Sequence, residues 1–275
     1  MRDAATRGGA RSRRPLRIAF LGCGSATAMH GRTLRRFRGE AECAYASRHA
    51  ARAEEYARRF GGTSFASYDA ALEDARTDAV LVATPPMLHL ELTLRALEAG
   101  KHVIVEKPPF VRAADFDRVA ASAARVGRQV LVAENYFYKP LTAELRAIVE
   151  SGVLGRVLFV QLNAIKRQPA DGWRADPALA GGGALFEGGI HWLNFAGSLG
   201  LTVRSAQALF PGHAAGPERS SLVALRYEEG AVGALLYSWE THSPLRGLRL
   251  SRIFGTRGNV TFESNGVFVA VSGPG

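Results

Sequence analysis

The chain has 275 residues, of which 47% are hydrophobic, so it can bury the core of one large or two ordinary domains, and disorder is excluded as its main state. Its formal net charge is +10, but half of this excess lies within residues 1–17, and no basic stripe is interleaved with aromatic residues. We therefore expect no nucleic-acid partner. No apolar run approaches the length of a membrane helix, so we expect no membrane association either.

The two cysteines, Cys23 and Cys43, are too few for a disulfide framework or a cysteine-based metal site, so we expect a cytoplasmic protein without a metal. One competing signal is the segment Ser12-Arg13-Arg14-Pro15-Leu16, which resembles a twin-arginine export motif. Its apolar continuation is short and leads straight into a glycine loop. Because cleavage there would remove the first predicted strand, the cytoplasm remains the expected compartment.

After a basic tail at residues 1–15, which we expect to be disordered, apolar runs of strand length alternate with stretches of helical periodicity. The predicted strands are Leu16–Leu21, Ala41–Ala46, 79–83, 102–105 and 129–133. The predicted helices between them cover residues 29–37, 49–60, 88–99 and 113–126. Such alternation is typical of an α/β fold with a doubly wound parallel sheet, here a first domain over residues 16–137.

The pattern changes after residue 137. A helix over 141–151 and a strand over 155–165 precede a Gly-rich loop, and a hairpin follows at 221–227 and 231–239. Further strands at 248–254 and 259–262 continue the meander. We interpret residues 138–275 as a second, α+β domain with a mostly antiparallel sheet.

A glycine turn joins the first predicted strand to the first helix. Gly22 and Gly24 leave room for a pyrophosphate at the helix N-terminus, where the backbone amides of Ser25 and Ala26 would bind it. The third glycine of the full dinucleotide fingerprint is Thr27 here, which is less favourable for close packing of helix on strand. A glycine turn without a ligand is the alternative, but the repeated strand-helix units favour a dinucleotide cofactor.

The end of the second strand bears on which dinucleotide is bound. An NAD-specific protein usually has an acidic residue there to hold the ribose 2′-hydroxyl, whereas this chain has Ser47 and Arg48, with Arg52 one turn later. A hydroxyl and a guanidinium suit a 2′-phosphate, so NADP is preferred over NAD. The alternative is that Arg48 is an exposed residue at the entry to a helix.

Two more strand ends carry distinctive loops, Ala83-Thr84-Pro85-Pro86 and Glu106-Lys107-Pro108-Pro109. The carboxyl ends of parallel strands meet at one edge of a sheet, where ligands bind, so both loops should face the cofactor. Lys occurs only at 101, 107, 139 and 166, while the other 31 of the 35 basic residues are Arg. Because only Lys can titrate usefully, Lys107 is predicted to have a chemical role.

Several motifs together make the chain similar to the glucose-fructose oxidoreductase, inositol dehydrogenase and MocA-like (Gfo/Idh/MocA) family. The early motifs are the glycine turn and the two proline loops, with His89 and the stretch Ala99-Gly100-Lys101-His102-Val103. The later ones are Ala133-Glu134-Asn135-Tyr136 and the glycine run that begins at Gly181 and ends at His191. Their order and spacing, over about residues 16–270, carry the resemblance.

The resemblance implies a Rossmann domain followed by an α/β domain whose open, mostly antiparallel sheet often mediates homo-oligomerisation. It implies a catalytic lysine at Lys107, an active-site histidine at His191, and a carboxylate at Glu187, where the family usually has Asp. It also implies a cis peptide bond before Pro108. The expected cofactor contacts after the glycine turn are those at the motif positions Ala83, Thr84, Pro85, His89, Glu106 and Asn135.

The residues themselves support the pairing of Glu187 with His191 only in part. On a helix the two lie at i and i+4, where the carboxylate could orient the imidazole and raise its basicity. Gly188-Gly189 between them weakens the helix prediction. An isolated pair of this kind is more often a surface contact, but the neighbouring glycine run and the lysine motif favour a catalytic role.

The sequence thus predicts reversible hydride transfer between NADP or NAD and the carbinol or carbonyl carbon of a sugar, polyol or related small molecule. Lys107 and His191 are the candidates for moving the hydroxyl proton, and the positive charge of oxidised nicotinamide would favour the neutral, basic lysine. Expected substrate contacts are Tyr138, Trp173, Arg174 and Asn194.

Two alternatives from other classes remain open. The chain is shorter than is common in the family, so the second domain is expected to lack its last elements, and a regulatory or structural NAD(P)-binding protein without turnover would fit. Hydrolytic cleavage of a nucleotide sugar with NAD as an internal redox cofactor occurs in related Rossmann proteins, but no residue selects it.

Overall fold

The computed structural model describes residues 14–37, 39–212, 216–242 and 248–273. The chain folds into two compact units that interleave along the sequence. Of the described residues, the first unit contains those up to Thr84 with Glu91–Glu106 and Phe116–Leu131. The second unit contains Pro85–Leu90, Lys107–Asp115 and the described residues from Val132 onwards. The predicted boundary at residues 137 and 138 remains a prediction. The expected disordered tail lies outside the described residues up to residue 13, and Arg14 forms an ion pair with Asp78.

Eleven helices and strands among the described residues make up the strand-helix alternation. They are β1 (Leu16–Leu21), α1 (Ser25–Leu34), β2 (Ala41–Ala46), α2 (Ala50–Phe60), β3 (Thr63–Phe65), α3 (Tyr68–Glu73), β4 (Ala79–Val82), α4 (His89–Glu98), β5 (His102–Glu106), α5 (Ala114–Val126) and β6 (Val130–Ala133). The sheet order is β3-β2-β1-β4-β5-β6, with parallel pairing of β1 with β2 and β4. This is the order of a Rossmann fold, and the predicted doubly wound sheet is confirmed.

The central strands are apolar throughout because helices cover both faces of the sheet. All four residues of β4 are buried, as are the last five of β1. Phe20 on β1 stacks on Tyr45 of β2 with ring centroids 5.1 Å apart, and Tyr56 and Phe60 of α2 pack beside Tyr45. This aromatic cluster fixes α2 against the sheet at the side where β2 ends.

The prediction from the sequence differs from the structure mainly at short elements and helix ends, where the apolar periodicity is weak. The helix expected at 29–37 begins at Ser25, since its first turn consists of small residues without apolar periodicity, and it ends in a 3-10 turn at Arg35–Phe37. The prediction missed β3, which has only three residues. It also missed α3, whose N-terminus is capped by Ser67 accepting a hydrogen bond from the Ala70 amide.

The second unit contains a seven-stranded sheet with helices on one face. Its elements are α6 (Pro140–Glu150), β7 (Val157–Ile165), α7 (Pro177–Ala180), α8 (Ile190–Ala196), β8 (Val203–Leu209), β9 (Ser220–Tyr227), β10 (Val232–Ser238), β11 (Leu250–Gly255), β12 (Asn259–Glu263) and β13 (Val269–Ser272). The sheet order is β13-β12-β11-β7-β10-β9-β8. The pairing is antiparallel except between β7 and β10, as predicted for a mostly antiparallel sheet.

Side chains alternate across this sheet. Val160 and Leu162 of β7 are buried in one core with Trp192 and Phe195 of α8. Phe159, the residue before Val160, is 54% exposed on the opposite face. The helices of this unit therefore cover one face of the sheet and leave the other face open.

Within the described residues, no helix combines the length and apolar character required to cross a bilayer. The same residues contain no group of three or more His, Cys, Asp or Glu side chains arranged to hold a metal ion.

Candidate active site

The turn after β1 requires glycine at its first position. Gly22 has φ of +107°, and a Cβ atom there would lie 2.5 Å from the backbone oxygen of Ala83. Its amide donates to the Ala46 carbonyl at 2.9 Å, so the turn is held at the carboxyl ends of β2 and β4. The predicted cofactor residues Gly22 and Ala83 are therefore in direct contact.

The N-terminus of α1 is open to a ligand. Gly24 is its N-cap and makes no side-chain cap hydrogen bond, and a Cβ atom at Gly24 would meet no atom within 4 Å. Ser25 is exposed and Ala26 partly exposed in the first turn. Backbone N–H groups at the start of a ten-residue helix suit a pyrophosphate, so this cradle fits the expected dinucleotide.

Thr27 takes the place of the third fingerprint glycine without loosening the turn. Its side chain is fully buried, and its hydroxyl donates to the Gly22 carbonyl at 2.6 Å. The expected penalty for close packing is thus offset by a hydrogen bond that ties the helix to the glycine turn.

The structure places the predicted 2′-phosphate residues at the end of β2. Ser47 is buried and its hydroxyl accepts from the His49 amide at 3.3 Å, while Arg48 is exposed. Arg52 on α2 donates from Nε to the Cys23 carbonyl at 2.7 Å, which brings its guanidinium to the glycine turn. Two guanidinium groups and no carboxylate therefore occupy these three positions.

Glu106, at the end of β5, has a partner that the sequence did not indicate. Its Oε1 lies 2.6 Å from Nε2 of His30 on α1, and both residues belong to the first unit. No motif signals such a pair, because the two residues are 76 positions apart. Thr84 was also predicted to contact the cofactor from a strand end. It belongs to the same unit, as the last residue of the first of the three chain segments that form it.

The remaining predicted cofactor residues in the two proline loops, Pro85 and His89, belong to the second unit. His89 is buried and donates from Nδ1 to the carbonyl oxygen of Pro108 at 2.9 Å. In the structure, His89 thus contacts the loop that follows Lys107. The peptide bond between Lys107 and Pro108 is cis, as the family resemblance implied.

Lys107 is bound to Glu187 within the second unit. Its Nζ donates to the Glu187 backbone oxygen at 2.9 Å and to Oε1 at 3.3 Å, and Arg174 donates to the same Oε1 at 3.1 Å. Burial alone would raise the pKa of the Glu187 carboxyl, but the charges of Lys107 and Arg174 outweigh it and hold that pKa below its ordinary value. Glu187 is therefore ionised at neutral pH and fixes both cations.

His191 is paired with Glu134, which corrects the expected partnership with Glu187. Its Nδ1 lies 2.8 Å from both carboxylate oxygens of Glu134. Burial would raise the pKa of Glu134, but hydrogen bonds from His191 and the Tyr136 amide lower it below its ordinary value. The carboxylate is thus the acceptor, and the imidazole donates from Nδ1.

The reason for the correction is local geometry. Leu185–Gly189 form a π-helical turn before α8, and its wider winding rotates Glu187 away from the i+4 alignment expected on an α-helix. The turn packs closely on β10, because a Cβ atom at Gly188 would lie 2.2 Å from the Tyr237 hydroxyl oxygen. The glycine pair that weakened the helix prediction therefore allows this approach.

An aromatic ring fixes the plane of the imidazole. Tyr136 stacks on His191 with centroids 4.6 Å apart at an angle of 17°, and the Lys139 ammonium lies 3.3 Å from the centroid of the Tyr136 ring. The neighbouring predicted residues Asn135 and Tyr138 are both exposed, Tyr138 to 80%. Their roles in cofactor and substrate binding stay predictions.

Two predicted substrate residues lie together at a cavity of about 220 Å³ in the second unit. Trp173 and Arg174 line it with Glu187 and Trp239. Asn194 lies elsewhere on α8, one turn after His191, and its buried Oδ1 has no hydrogen-bond partner among the described residues. A small polar ligand could therefore enter beside the Lys107–Glu187 pair.

Two family models match the chain in the order of its two sheets. Residues 16–134 match the oxidoreductase family with an NAD-binding Rossmann fold, and residues 142–261 match the Gfo/Idh/MocA C-terminal domain. The chain belongs to the Gfo/Idh/MocA family. The cofactor site of this family is thus NAD-binding, in agreement with the glycine turn and the open α1 N-terminus.

Relatives of known activity within the Gfo/Idh/MocA family act on sugars, by their names. A dTDP-3,4-didehydro-2,6-dideoxy-alpha-D-glucose 3-reductase from Saccharopolyspora spinosa is 34% identical over 260 residues, which are 91% of this chain and 75% of that protein. The D-glucoside 3-dehydrogenase of Escherichia coli (strain K12) is 31% identical over 66% of this chain, and the match spans only 53% of that protein.

A solved structure supports the same grouping. It is a 3-ketoreductase from Actinomadura kijaniata in complex with NADP and TDP-benzene, which is 25% identical with a TM-score of 0.82. The match covers 94% of this chain and 82% of that one.

Proposed function

We propose that this protein catalyses reversible hydride transfer between a nicotinamide cofactor and the carbinol or carbonyl carbon of a sugar or related polyol. The observation that carries the proposal is that Lys107 and His191 are each held by an ionised carboxylate, Glu187 and Glu134 respectively. A fixed imidazole that can accept a proton, beside a fixed N–H donor, suits a hydroxyl that must lose or gain a proton. The sugar specificity of the named relatives supports the substrate class.

A bound nicotinamide supplies or accepts the hydride at the substrate carbon. We assign the transfer of the substrate's hydroxyl proton to His191. Since its Nδ1–H donates to Glu134, the neutral ring presents the Nε2 lone pair, which accepts the hydroxyl proton during oxidation. In reduction the protonated ring returns that proton to the carbonyl oxygen.

Lys107 is assigned the role of a donor to the reacting oxygen. Two of its contacts are made with Glu187, which fixes the direction of the ammonium group. A further N–H of the ammonium stabilises the negative charge that develops on the substrate oxygen. Arg174 shares the carboxylate and so restrains Glu187 from a second side.

For the cofactor we propose a preference for NADP over NAD. The end of β2 offers the Ser47 hydroxyl and the exposed guanidinium of Arg48, where a protein that binds the 2′-hydroxyl of NAD usually has a carboxylate. Arg52, held at the glycine turn, adds a second positive charge in the same unit.

We also propose homo-oligomerisation through the open face of the second unit's sheet. Phe159, Val232 and Leu250 are exposed on strands of that sheet. Sedimentation equilibrium of the wild type and of Phe159→Asp tests this proposal, which predicts that the variant becomes monomeric.

The activity is tested with purified protein, NADP or NAD, and a panel of sugars, polyols and keto-sugars. Absorbance of the reduced nicotinamide should change with at least one substrate. Lys107→Ala should lower turnover by about 10²- to 10⁴-fold while cofactor affinity stays close to that of the wild type. Cofactor binding without turnover on any substrate, or wild-type rates in Lys107→Ala, would contradict the proposal.

A further inference from the structure

Two cations contact the carboxylate of Glu187, and the charge of a third interacts with it. Lys107 and Arg174 both contact its Oε1 atom, at 3.3 and 3.1 Å. Lys166 is the third, and its charge interacts with those of Glu187, Lys107 and Arg174. All four residues belong to the second unit.

Lys166 differs from the other two cations in forming no ion pair within 4.0 Å among the described residues. It directly follows β7, and its amide donates to the Ser238 carbonyl at 2.9 Å. Its ammonium makes no hydrogen bond or ion pair with any residue in the described part of the chain. Burial lowers the pKa of Lys166, and Arg249, Lys107 and Arg174 lower it further against the opposing charge of Glu187.

The other carboxylates near these cations have partners of their own. Glu134 accepts from His191, although its charge also interacts with that of Lys107. Glu218, which lines the cavity beside Arg174, accepts from the Leu185 amide at 3.0 Å, and Glu240 accepts from the Ser220 hydroxyl and lies 3.7 Å from Arg219. Among the described residues, Glu187 is the carboxylate whose charge interacts with those of Lys107, Arg174 and Lys166 together, and a partly buried excess of positive charge is costly unless an anion completes it.

The cluster adjoins a cavity of the right size for a single sugar ring. Arg174 and Glu187 line this cavity of about 220 Å³ and also belong to the cluster of Glu187 with its cations. Lys166 does not line the cavity, but it lies on the neighbouring backbone, since its amide bonds to Ser238, the residue before the lining residue Trp239. The indoles of Trp173 and Trp239 supply apolar walls, and Arg219 adds another guanidinium.

We propose that the substrate carries an anionic group, a carboxylate or a phosphate, which Arg174 and Lys166 bind beside the sugar ring. This inference rests on the proposed function, because it names the substrate class of the same site. The anion neutralises the excess charge around Glu187, while Lys107 stays directed at the reacting oxygen. Acidic or phosphorylated sugars are then preferred over neutral ones of the same ring.

The first test is binding, which does not require turnover. Titration calorimetry of the NADP-loaded protein uses D-glucuronate, D-glucose 6-phosphate and neutral D-glucose as probes. The wild type should bind at least one anion about tenfold more tightly than D-glucose, and Lys166→Met should remove that advantage. Glucuronate and glucose 6-phosphate distinguish a carboxylate from a phosphate site. Equal affinity for all three probes in the wild type would overturn the inference.

Matched variants separate charge from packing. Lys166→Arg should retain the preference for the anion, and Arg58→Met, which removes an exposed cation on α2, should leave it unchanged. Circular dichroism checks that each variant is folded. A Lys166→Met variant that weakens glucose and anion equally would overturn the inference, whatever the turnover assay shows. Absence of turnover with intact anion preference would instead count against the proposed function alone.

Discussion

The imidazole of His191 is bound through Nδ1 to Glu134, 57 residues earlier in the chain, at 2.8 Å from each carboxylate oxygen. Stacking on Tyr136 holds the same ring in plane. The carboxylate therefore selects the tautomer whose Nε2 accepts a proton, and the tyrosine limits rotation of the ring. We therefore propose Glu134 as a positioning residue that acts through His191.

The Glu134→Gln variant tests this relationship. We expect kcat to fall by about 10- to 100-fold with the substrate KM nearly unchanged, because an amide does not fix the tautomer whose Nε2 accepts the proton. A purely structural role would raise KM and lower the melting temperature together with kcat, so a parallel change of all three would contradict the assignment. Glu134→Asp should recover part of the rate.

Gly22 and Gly24 form a matched pair for testing the turn. Gly22→Ala should destabilise the protein by about 1–3 kcal/mol, because φ is +107° and the new Cβ would collide with the Ala83 carbonyl. Gly24→Ala should leave the melting temperature nearly unchanged, since φ is −113° and no atom lies within 4 Å of its Cβ. It should still weaken cofactor binding by obstructing the helix N-terminus. Thermal melts and cofactor titrations measure both effects.

Cofactor choice should follow the charge at the end of β2. Ser47→Asp should shift the ratio of kcat/KM values by about tenfold or more towards NAD, since a carboxylate repels the 2′-phosphate and accepts from a 2′-hydroxyl. Arg48→Ala should weaken NADP and leave NAD little affected. Equal losses for both cofactors in Arg48→Ala would show that Arg48 does not contact the 2′-phosphate.

Acid should destabilise the second unit through Glu187. The pKa of the Glu187 carboxyl is lowered in the folded state from an ordinary value of 4.5. Its ion pairs therefore contribute fully to the free energy of unfolding above pH 4.5, and this contribution is lost as the pH falls through the lowered pKa of the folded state. Thermal melts from neutral to strongly acidic pH should show a smaller acid-induced loss in Glu187→Gln than in the wild type. The variant should be less stable than the wild type at neutral pH, where it lacks the ion pairs with Lys107 and Arg174. If the melting temperatures of the wild type and Glu187→Gln fell in parallel with pH, Glu187 would not be the source of the acid-induced loss.

The fold could be predicted from the sequence because the patterns that indicate it lie within short stretches of the chain. Buried parallel strands are continuous apolar runs, and Gly22 and Lys107 stand at strand ends where position alone predicts a role. The pairing of the proposed catalytic side chains could not be predicted from the sequence. Lys107 and Glu187 are 80 residues apart, and Glu134 carried no signal beyond its place in a motif. The π-helical turn at Leu185–Gly189 also replaced the α-helical spacing from which the Glu187–His191 pair was inferred.

The interleaving of the two units has a consequence for recombination. A crossover near residue 137, where the sequence pattern changes, would take Lys107 and Glu134 from one parent and Glu187 and His191 from the other. Both carboxylate pairs would then be assembled from unrelated halves. A hybrid should work only if each pair is inherited intact, which requires transplanting Lys107–Asp115 together with the chain from Val132 onwards. Pro85–Leu90 belongs to the same unit and should be transplanted with them.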